Sequence, residues 1–468
     1  MEVSKKYDKP LDVLILAAGL GTRMRSSFAK VLHKLDGKPL ISHVCETALA
    51  LKPRKIYTVI GHQGEEVKRV VTNEIGSDIA GFAVQEKQQG TGDAANSARQ
   101  FLENQDSVLL VLSGDVPLVK QETLELLLSK HFEAGADTAC TALTVELDNP
   151  FGYGRIVRNS EHKFLKIVEQ KDGSDEELAI KEINSGIYCF DSRLLYEVLR
   201  EVKNNNAQGE YYLTEVPRIL NERGLRLELY VHPNPKEIEG VNNRKQLAEM
   251  EKEKRTETIE RLMLDSGVSF IDPENVYVGA EAEIESDTVI YPGVSIEGKC
   301  KIGSGCTIRS GTRITNSRIG NNVEILDNCV INEAEVLDNC NVGPFAHLRP
   351  NAKMEEGSRV GNFVEMKKST LGKGSKANHL SYLGDAIIGE NSNIGAGTIT
   401  CNYDGKNKHV TQIGNRVRIG SDTMLVAPVT VGDGVVTGAG SVVTKDIEKN
   451  KLAVGTPAKA IRTLNREE

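Results

Sequence analysis

Residues 278–314 read V-G-A-E-A-E-I-E-S-D-T-V-I-Y-P-G-V-S-I-E-G-K-C-K-I-G-S-G-C-T-I-R-S-G-T-R-I. An aliphatic side chain returns at every sixth residue: Val278, Ile284, Ile290, Ile296, Ile302, Ile308 and Ile314. That period matches neither the roughly 3.6-residue repeat of a helix nor strand alternation. It is the signature of hexapeptide repeats in a parallel β-helix, where each hexapeptide gives one short strand and one corner, and three close a triangular coil. The aliphatic residue is expected to fill the narrow core. The glycine that often follows it, as at Gly279, Gly303 and Gly389, is expected to relieve the backbone at the corner.

The same phase runs far beyond this stretch. It slips by one residue at Ile319, continues through Ile325 and Ile331, and slips again at Val336. Val342, Leu348, Met354, Val360 and Met366 follow; after further slips come Ile388 and Ile394, then Ile413, Ile419, Leu425, Val431 and Val443. Thr437 fills the one polar slot of that last series. Residues 401–409, C-N-Y-D-G-K-N-K-H, interrupt the phase. A loop inserted into a repeat scaffold is where function tends to sit.

Upstream the texture differs. Residues 241–265 are charged and helical in pattern, with Leu247, Met250, Ile259, Leu262 and Met263 as one narrow buried stripe of a connecting helix. Residues 1–240 alternate apolar runs (11–16, 56–60, 108–112) with helical patterns (41–51, the segment through Val67, Val70 and Val71, and 123–129). Such alternation predicts a parallel α/β sheet with ligands beyond the carboxyl ends of its strands. Two features occupy such ends: the turn L-A-A-G-L-G-T-R-M at 16–24 and Asp115 in S-G-D. The turn is a phosphate-cradling signal of neither common kind, because Met24 and Arg25 stand where a dinucleotide fingerprint or a P-loop needs glycine and lysine. Arg23 is the obvious source of positive charge. The expected organisation is 1–240, a linker helix at 241–265, and a β-helix at 266–468.

The 468 residues carry a formal net charge of −8, which argues against a nucleic-acid partner or an acidic membrane surface. The eight cysteines show no C-x-x-C spacing, so a zinc site or redox dithiol is not expected. The opening M-E-V-S-K-K-Y-D-K-P has no apolar signal segment, and no long apolar run suggests a membrane span. A reducing cytoplasm is the simplest home, with the cysteines as thiols.

Further strings carry a resemblance. They include Lys30-Val-Leu-His, Gln89-Gly-Thr-Gly, Gly114-Asp-Val-Pro, Gly152-Tyr-Gly-Arg-Ile, Asn184-Ser-Gly, Gln208-Gly-Glu-Tyr-Tyr and Gly240-Val-Asn-Asn-Arg in the first half. The second half has Gly343-Pro-Phe-Ala-His-Leu-Arg-Pro, Val360-Gly-Asn-Phe-Val-Glu-Met-Lys-Lys, Ala377-Asn-His-Leu-Ser-Tyr and Asn393-Ile-Gly-Ala-Gly-Thr-Ile-Thr-Cys-Asn-Tyr. Over nearly the whole chain this resembles the bifunctional N-acetylglucosamine-1-phosphate uridyltransferases/glucosamine-1-phosphate acetyltransferases. The resemblance implies an α/β Rossmann-like nucleotidyltransferase domain followed by a left-handed parallel β-helix, with a homotrimer assembled through the β-helix on fold analogy.

It also implies two sites. In the first, UTP meets N-acetylglucosamine 1-phosphate. Leu16, Ala17, Ala18 and Gly19 would hold the nucleotide, Arg23 and Lys30 would neutralise the triphosphate, and Gln85, Gly90 and Thr91 match uracil-reading positions. Ser113 and Gly114 flank Asp115, which with Asn242 would hold Mg²⁺. Gly154, Glu169 and Asn184 match sugar-binding positions. In the second site acetyl-CoA meets glucosamine 1-phosphate. His379 matches the base that takes the amine proton. Arg349 and Lys367 would grip the phosphate, Tyr382 and Asn393 the sugar, and Ala396, Asn402, Tyr403, Ser421 and Ala439 the acetyl-CoA side.

Taken singly, most of these residues have blander readings. A glycine turn reverses a chain, a strand-end aspartate caps a turn, and His379 alone, like His409, would be a surface histidine. Their joint order gives function the advantage. Three departures stand out. Alanine at 29 replaces the family's proline and is expected to loosen the loop before Lys30. Asp93 replaces a histidine, and its carboxylate either points away from the triphosphate or helps hold metal. Near Thr456 the family's arginine is missing, and Lys459 or Arg462 could substitute. Two other classes compete: a nucleotidyltransferase with a merely structural β-helix, and a non-catalytic sugar-phosphate binder. The His379–Tyr382 string and the Asn402-Tyr403 loop speak against the first. The retention of Lys30 and Asp115 speaks against the second.

Overall fold

Residues 1–250 and 251–468 form separate units, and the computed structural model describes residues 9–135 and 137–464. Residues 1–8, which carry most of the reading against a leader, lie outside the described residues.

Seven strands set the frame of the first unit: β1 (Leu11–Leu16), β2 (Lys55–Ile60), β3 (Ala80–Val84), β4 (Val108–Ser113), β5 (Thr138–Glu146), β6 (Glu182–Asp191) and β7 (Arg226–His232). They lie in the order β7-β5-β6-β4-β1-β2-β3. β1 pairs in parallel with β2 and β4, β2 with β3, and β5 with β7. The expected all-parallel sheet is broken by β6, which runs antiparallel to both neighbours. The reason is the connection. A parallel crossover needs a substantial helix, whereas β5 and β6 are joined through the hairpin Arg155–Arg158/Phe164–Val168 and the short helix Asp175–Leu178. β1 is apolar at nearly every position because both faces are covered: Val13 and Ile15 join one core cluster and Leu14 the other. The register Leu16↔Ser113 brings the ends of β1 and β4 together, so the turns that follow share one edge of the sheet.

The second unit is a three-sided parallel β-helix whose faces are sheets of 12, 10 and 9 strands. The repeat becomes a ladder. Ile284, Ile302, Ile319, Val336, Met354, Leu371, Ile388, Ile413 and Val431 stack in register on one face, all within one buried cluster. Leu371, Ala377 and Leu383 occupy the core between Met366 and Ile388, where the phase was hard to follow. Thr437 is buried, and its hydroxyl accepts the Gly420 amide at 2.8 Å, so the polar slot is satisfied.

Gly343, after the core residue Val342, has the positive φ expected of a corner, +98°, but other glycines in this position serve a different end. Gly389 and Gly420 do not have left-handed backbones. A Cβ on either would stand 2.6 Å from the backbone of Gly414 or Gly438 in the next coil, so glycine is required by close stacking. The connecting helix spans Arg244–Leu264. Its apolar residues do not form one stripe. Met250 and Leu247 pack with Met24, Leu35, Leu40 and Val241, Leu262 enters the β-helix core, and Met263 is exposed.

Candidate active sites

In the first unit the turns after β1 and β4 enclose a cavity of about 490 Å³ lined by residues 16–22, Lys30, Gln85, Gly90, Thr91, Ser113 and Asp115. The Ala17 amide is committed to Val59 and that of Gly114 to Leu16, at 3.0 and 2.9 Å. The amides of residues 18–21 donate to no acceptor among the described residues. A Cβ on Gly19 would meet nothing, so its open side is the cavity. Gly21 has φ +59°, and a Cβ there would stand 2.6 Å from that of Lys30, so this glycine lets Lys30 close on the turn.

Lys30 and Asp115 form a half-buried ion pair. Asn242 joins them: its Oδ1 accepts from Arg23 at 2.8 Å and lies 3.5 Å from Lys30 Nζ. The Val241 amide donates to the Asp115 carbonyl at 2.9 Å and fixes that approach. Four residues from three distant segments thus meet at the strand ends. Two hard oxygens, from Asp115 and Asn242, converge on one cation. That donor set suits Mg²⁺, whose remaining ligands are normally phosphate oxygens and water. Among the described residues no cluster of three or more His, Cys, Asp or Glu forms a self-sufficient metal cage.

On the opposite wall, Gln85 is buried and donates from Nε2 to the Gly90 carbonyl at 3.1 Å and to Asp93 at 2.7 Å. Asp93 does not line the cavity and does not join Asp115; its carboxylate is held by Gln85. The Thr91 hydroxyl accepts the Leu213 amide at 3.0 Å, which ties this cavity residue to the 213 segment. Gly154, Glu169 and Asn184 form a group of their own: the Asn184 amide donates to the Gly154 carbonyl at 2.9 Å, and Thr214 donates to Glu169 at 3.0 Å. Burial pushes the Glu169 carboxyl above the usual carboxylate range. Ala29 does not loosen its loop. Its amide donates to Gln63 Oε1 at 2.7 Å, a bond that proline could not make.

In the β-helix, register aligns His379 with the expected acetyl-CoA residues. Asn362 pairs with His379; Asn393 pairs with Lys376 on one side and Arg418 on the other, which brings Ala396 and Ser421 into line; Arg418 pairs with Val436, which adds Ala439. His379, Ala396, Ser421 and Ala439 therefore climb one corner of successive coils. The imidazole of His379 is exposed and has no hydrogen-bond or ionic partner among the described residues.

The residues expected to grip the phosphate lie on the ten-strand face. Arg349 and Lys367 stand on adjacent coils, and Arg349 donates to Glu365 at 2.6 Å, a pairing that raises its pKa. Lys367 is pushed below its ordinary value by the Lys408 ammonium and then by Arg349. Lys408 was not singled out from the sequence. It belongs to the inserted loop, whose ends the structure ties down: Asn402 donates to Asp385 at 2.5 Å, and Tyr403 bridges to Lys408. A lysine within a phase-breaking insertion was the signal available. Other expected residues are not gathered. Asn393 lies on the twelve-strand face, apart from Tyr382 on the ten-strand face. Asn402 is buried against Asp385. The Thr456 hydroxyl donates to the Gly440 carbonyl at 3.4 Å, while Lys459 and Arg462 are exposed on the last described strand, Lys459–Thr463.

Comparison with known proteins agrees with both halves. Residues 12–232 match the nucleotidyl transferase family, and residues 281–316 and 411–445 match the bacterial transferase hexapeptide family. The bifunctional protein GlmU of Geobacillus sp. strain WCH70 is 49% identical over 97% of this chain and 96% of its own length. The chain belongs to the GlmU family. The bifunctional protein GlmU of Carboxydothermus hydrogenoformans is 47% identical over 98% of this chain and 99% of its own, and that of Clostridium novyi 46% over 94% and 95%. As a GlmU family member the chain is a bifunctional enzyme, a uridylyltransferase joined to an acetyltransferase, and its coil is the left-handed β-helix of hexapeptide transferases. No helix among the described residues is long and apolar enough to cross a membrane, and all eight cysteines are free thiols.

Proposed function

We propose that the β-helix acetylates glucosamine 1-phosphate with acetyl-CoA and that the α/β unit then joins the resulting N-acetylglucosamine 1-phosphate to UTP. In this reading the nucleotidyltransferase domain is 1–240, the linker helix 241–265 and the acetyltransferase domain 266–468. The enzyme works in the cytoplasm as a homotrimer assembled through its β-helix.

In acetyl transfer, Arg349, Lys367 and Lys408 hold the sugar phosphate. His379 takes a proton from the ammonium, and the freed amine attacks the thioester carbonyl. The C–S bond breaks and CoA leaves as the thiol. Ala396, Ser421 and Ala439 receive the acetyl-CoA along the same corner, with Tyr403 and Asn402 in the loop beyond; Tyr382 and Asn393 serve the sugar. In uridylyl transfer, a phosphate oxygen of the sugar 1-phosphate attacks the α-phosphorus of UTP, the α–β bridge bond breaks, and pyrophosphate leaves. Positioning and charge neutralisation supply the rate. Residues 16–19 hold the nucleotide, Ser113 and Gly114 shape the strand-end floor, and Gln85, Gly90 and Thr91 read the base. Arg23 and Lys30 draw charge from the leaving pyrophosphate, and Gly154, Glu169 and Asn184 orient the sugar. Mg²⁺, held by Asp115 and Asn242, would neutralise the triphosphate oxygens.

The observation that carries the acetyl half is the row His379, Ala396, Ser421 and Ala439 on one corner, since a purely structural coil needs no unpartnered histidine there. The test is thiol release from acetyl-CoA by the full chain. Release that requires glucosamine 1-phosphate and vanishes in His379→Ala supports the reading. No release at saturating acetyl-CoA would reduce the β-helix to a scaffold and leave a single uridylyltransferase.

A further inference from the structure

The buried amide of Gln85 has only one orientation open to it. Its partners are the Gly90 carbonyl and the Asp93 carboxylate, at 3.1 and 2.7 Å. Both accept and neither donates while Asp93 is ionised, so the amide nitrogen must face them and its two hydrogens are committed. Oε1 is then the polar atom that Gln85 has left for the cavity it lines. Gly90 is itself held. Its φ is +108°, and a Cβ there would stand 2.5 Å from the Tyr211 carbonyl.

We infer that Asp93 is a positioning residue that sets base specificity by locking Gln85 with its oxygen toward the nucleotide. This rests on the nucleotide site proposed above. The chemistry follows from the ring. The imide N3–H of uracil is a donor and meets Oε1 directly. N3 of cytosine is an acceptor and would set two lone pairs face to face in a buried place. Without Asp93 the amide keeps one tether, the Gly90 carbonyl, and its terminal torsion is broad and two-fold. The turned amide would offer N–H to cytosine. Asp93 sits in the first turn of the helix Thr91–Ser97, where a carboxylate also suits the helix dipole, but that role would not require the bond to Gln85.

The test is pyrophosphate release by the full chain with N-acetylglucosamine 1-phosphate, comparing kcat/KM for UTP and CTP in wild type, Asp93→Ala, Gln85→Ala and the double variant. Cooperative thermal unfolding confirms that each variant is folded. The UTP-over-CTP ratio should fall about tenfold or more in Asp93→Ala, mainly through a higher KM for UTP. The double variant should be no less selective than Gln85→Ala alone, because both changes remove one device. An undiminished ratio in Asp93→Ala beside a diminished one in Gln85→Ala overturns the role of Asp93 and leaves the nucleotide site standing. Additive losses in the double variant overturn it as well. A wild type with no preference for UTP overturns the reading of the site itself.

Discussion

The ammonium groups of Lys367 and Lys408 stand together on the β-helix, one from a strand of the ten-strand face and the other from the inserted loop, with Arg349 close by. Like charges gathered this way disfavour one another until an anion joins them. The lowered pKa of Lys367 records that tension. A bound phosphate should raise it. Replacing Lys408 by alanine should also raise it, and should increase KM for glucosamine 1-phosphate by roughly tenfold while kcat changes less. The sign with pH follows: phosphate affinity falls as Lys367 deprotonates, and this begins at lower pH than for an ordinary lysine. KM measured against pH in wild type and Lys408→Ala checks both statements. An identical KM would remove Lys408 from the site.

Asp115 joins Lys30 and Asn242 in the first unit, while the residues proposed for acetyl transfer all lie in the second. Asp115→Ala should lower uridylyl transfer by at least a hundredfold, the scale of losing one electrostatic contact to a transferring phosphoryl group. Acetyl transfer by the same preparation should persist. Loss of both activities in a folded protein would contradict independent sites.

His379→Ala should do the reverse. Removing a positioned general base costs about 10²- to 10⁴-fold. UDP-sugar formation from supplied N-acetylglucosamine 1-phosphate should stay near wild type. Acetyl transfer that survives across the pH range would show that another group takes the proton.

The polar slot at Thr437 yields a stability prediction. Thr437→Val keeps the shape but removes the acceptor for the half-buried Gly420 amide and the buried hydroxyl contact with Thr423. Leaving polar groups at this site without partners costs about 1–3 kcal/mol, so the variant should unfold at lower denaturant concentration. Ile325→Ala, in the same core, should cost about 2–5 kcal/mol by leaving a cavity. Equal stability of Thr437→Val and wild type would show that the amide finds another partner.

How much of this could be read from the chain depends on how local each signal is. The β-helix was legible because its core is one residue wide and recurs with each strand, so Ile302, Ile319 and Val336 report it before any contact is known. Where coils shorten, at Leu371, Ala377 and Leu383, the phase blurred although the core continued. The reversal of β6 was hidden, since strand direction depends on what the connection can span. In the sites, Lys30, Asp115 and Asn242 carried strings of their own. Lys408 and the Asp93–Gln85 bond did not. Each gains meaning only from a partner brought in by folding: Lys367 across a corner, and the amide of Gln85 with no second way to turn.

The inserted loop has its own fastening, and that gives a last prediction. Asp404 accepts the amides of Asn407 and Lys406 at 2.6 and 2.7 Å and pairs with His409 Nε2 at 2.7 Å. The Asn407 amide, then the His409 ring and the Lys406 amide, hold its carboxyl down to about 2. A carboxylate depressed in the fold stabilises it above the ordinary value of 3.8, and that contribution is lost as pH falls through about 2. Amide exchange at Lys406 and Asn407 should therefore be steady from neutrality to about pH 4 and faster below it, after correction for intrinsic rates. Asp404→Ala should give the fast exchange at all pH values. It should also raise KM for glucosamine 1-phosphate, because Lys408 follows directly in the same loop. Protection that survives in Asp404→Ala would mean that the Asn402–Asp385 anchor and the Tyr403–Lys408 bridge hold the loop, and Lys408 would then keep its place without Asp404.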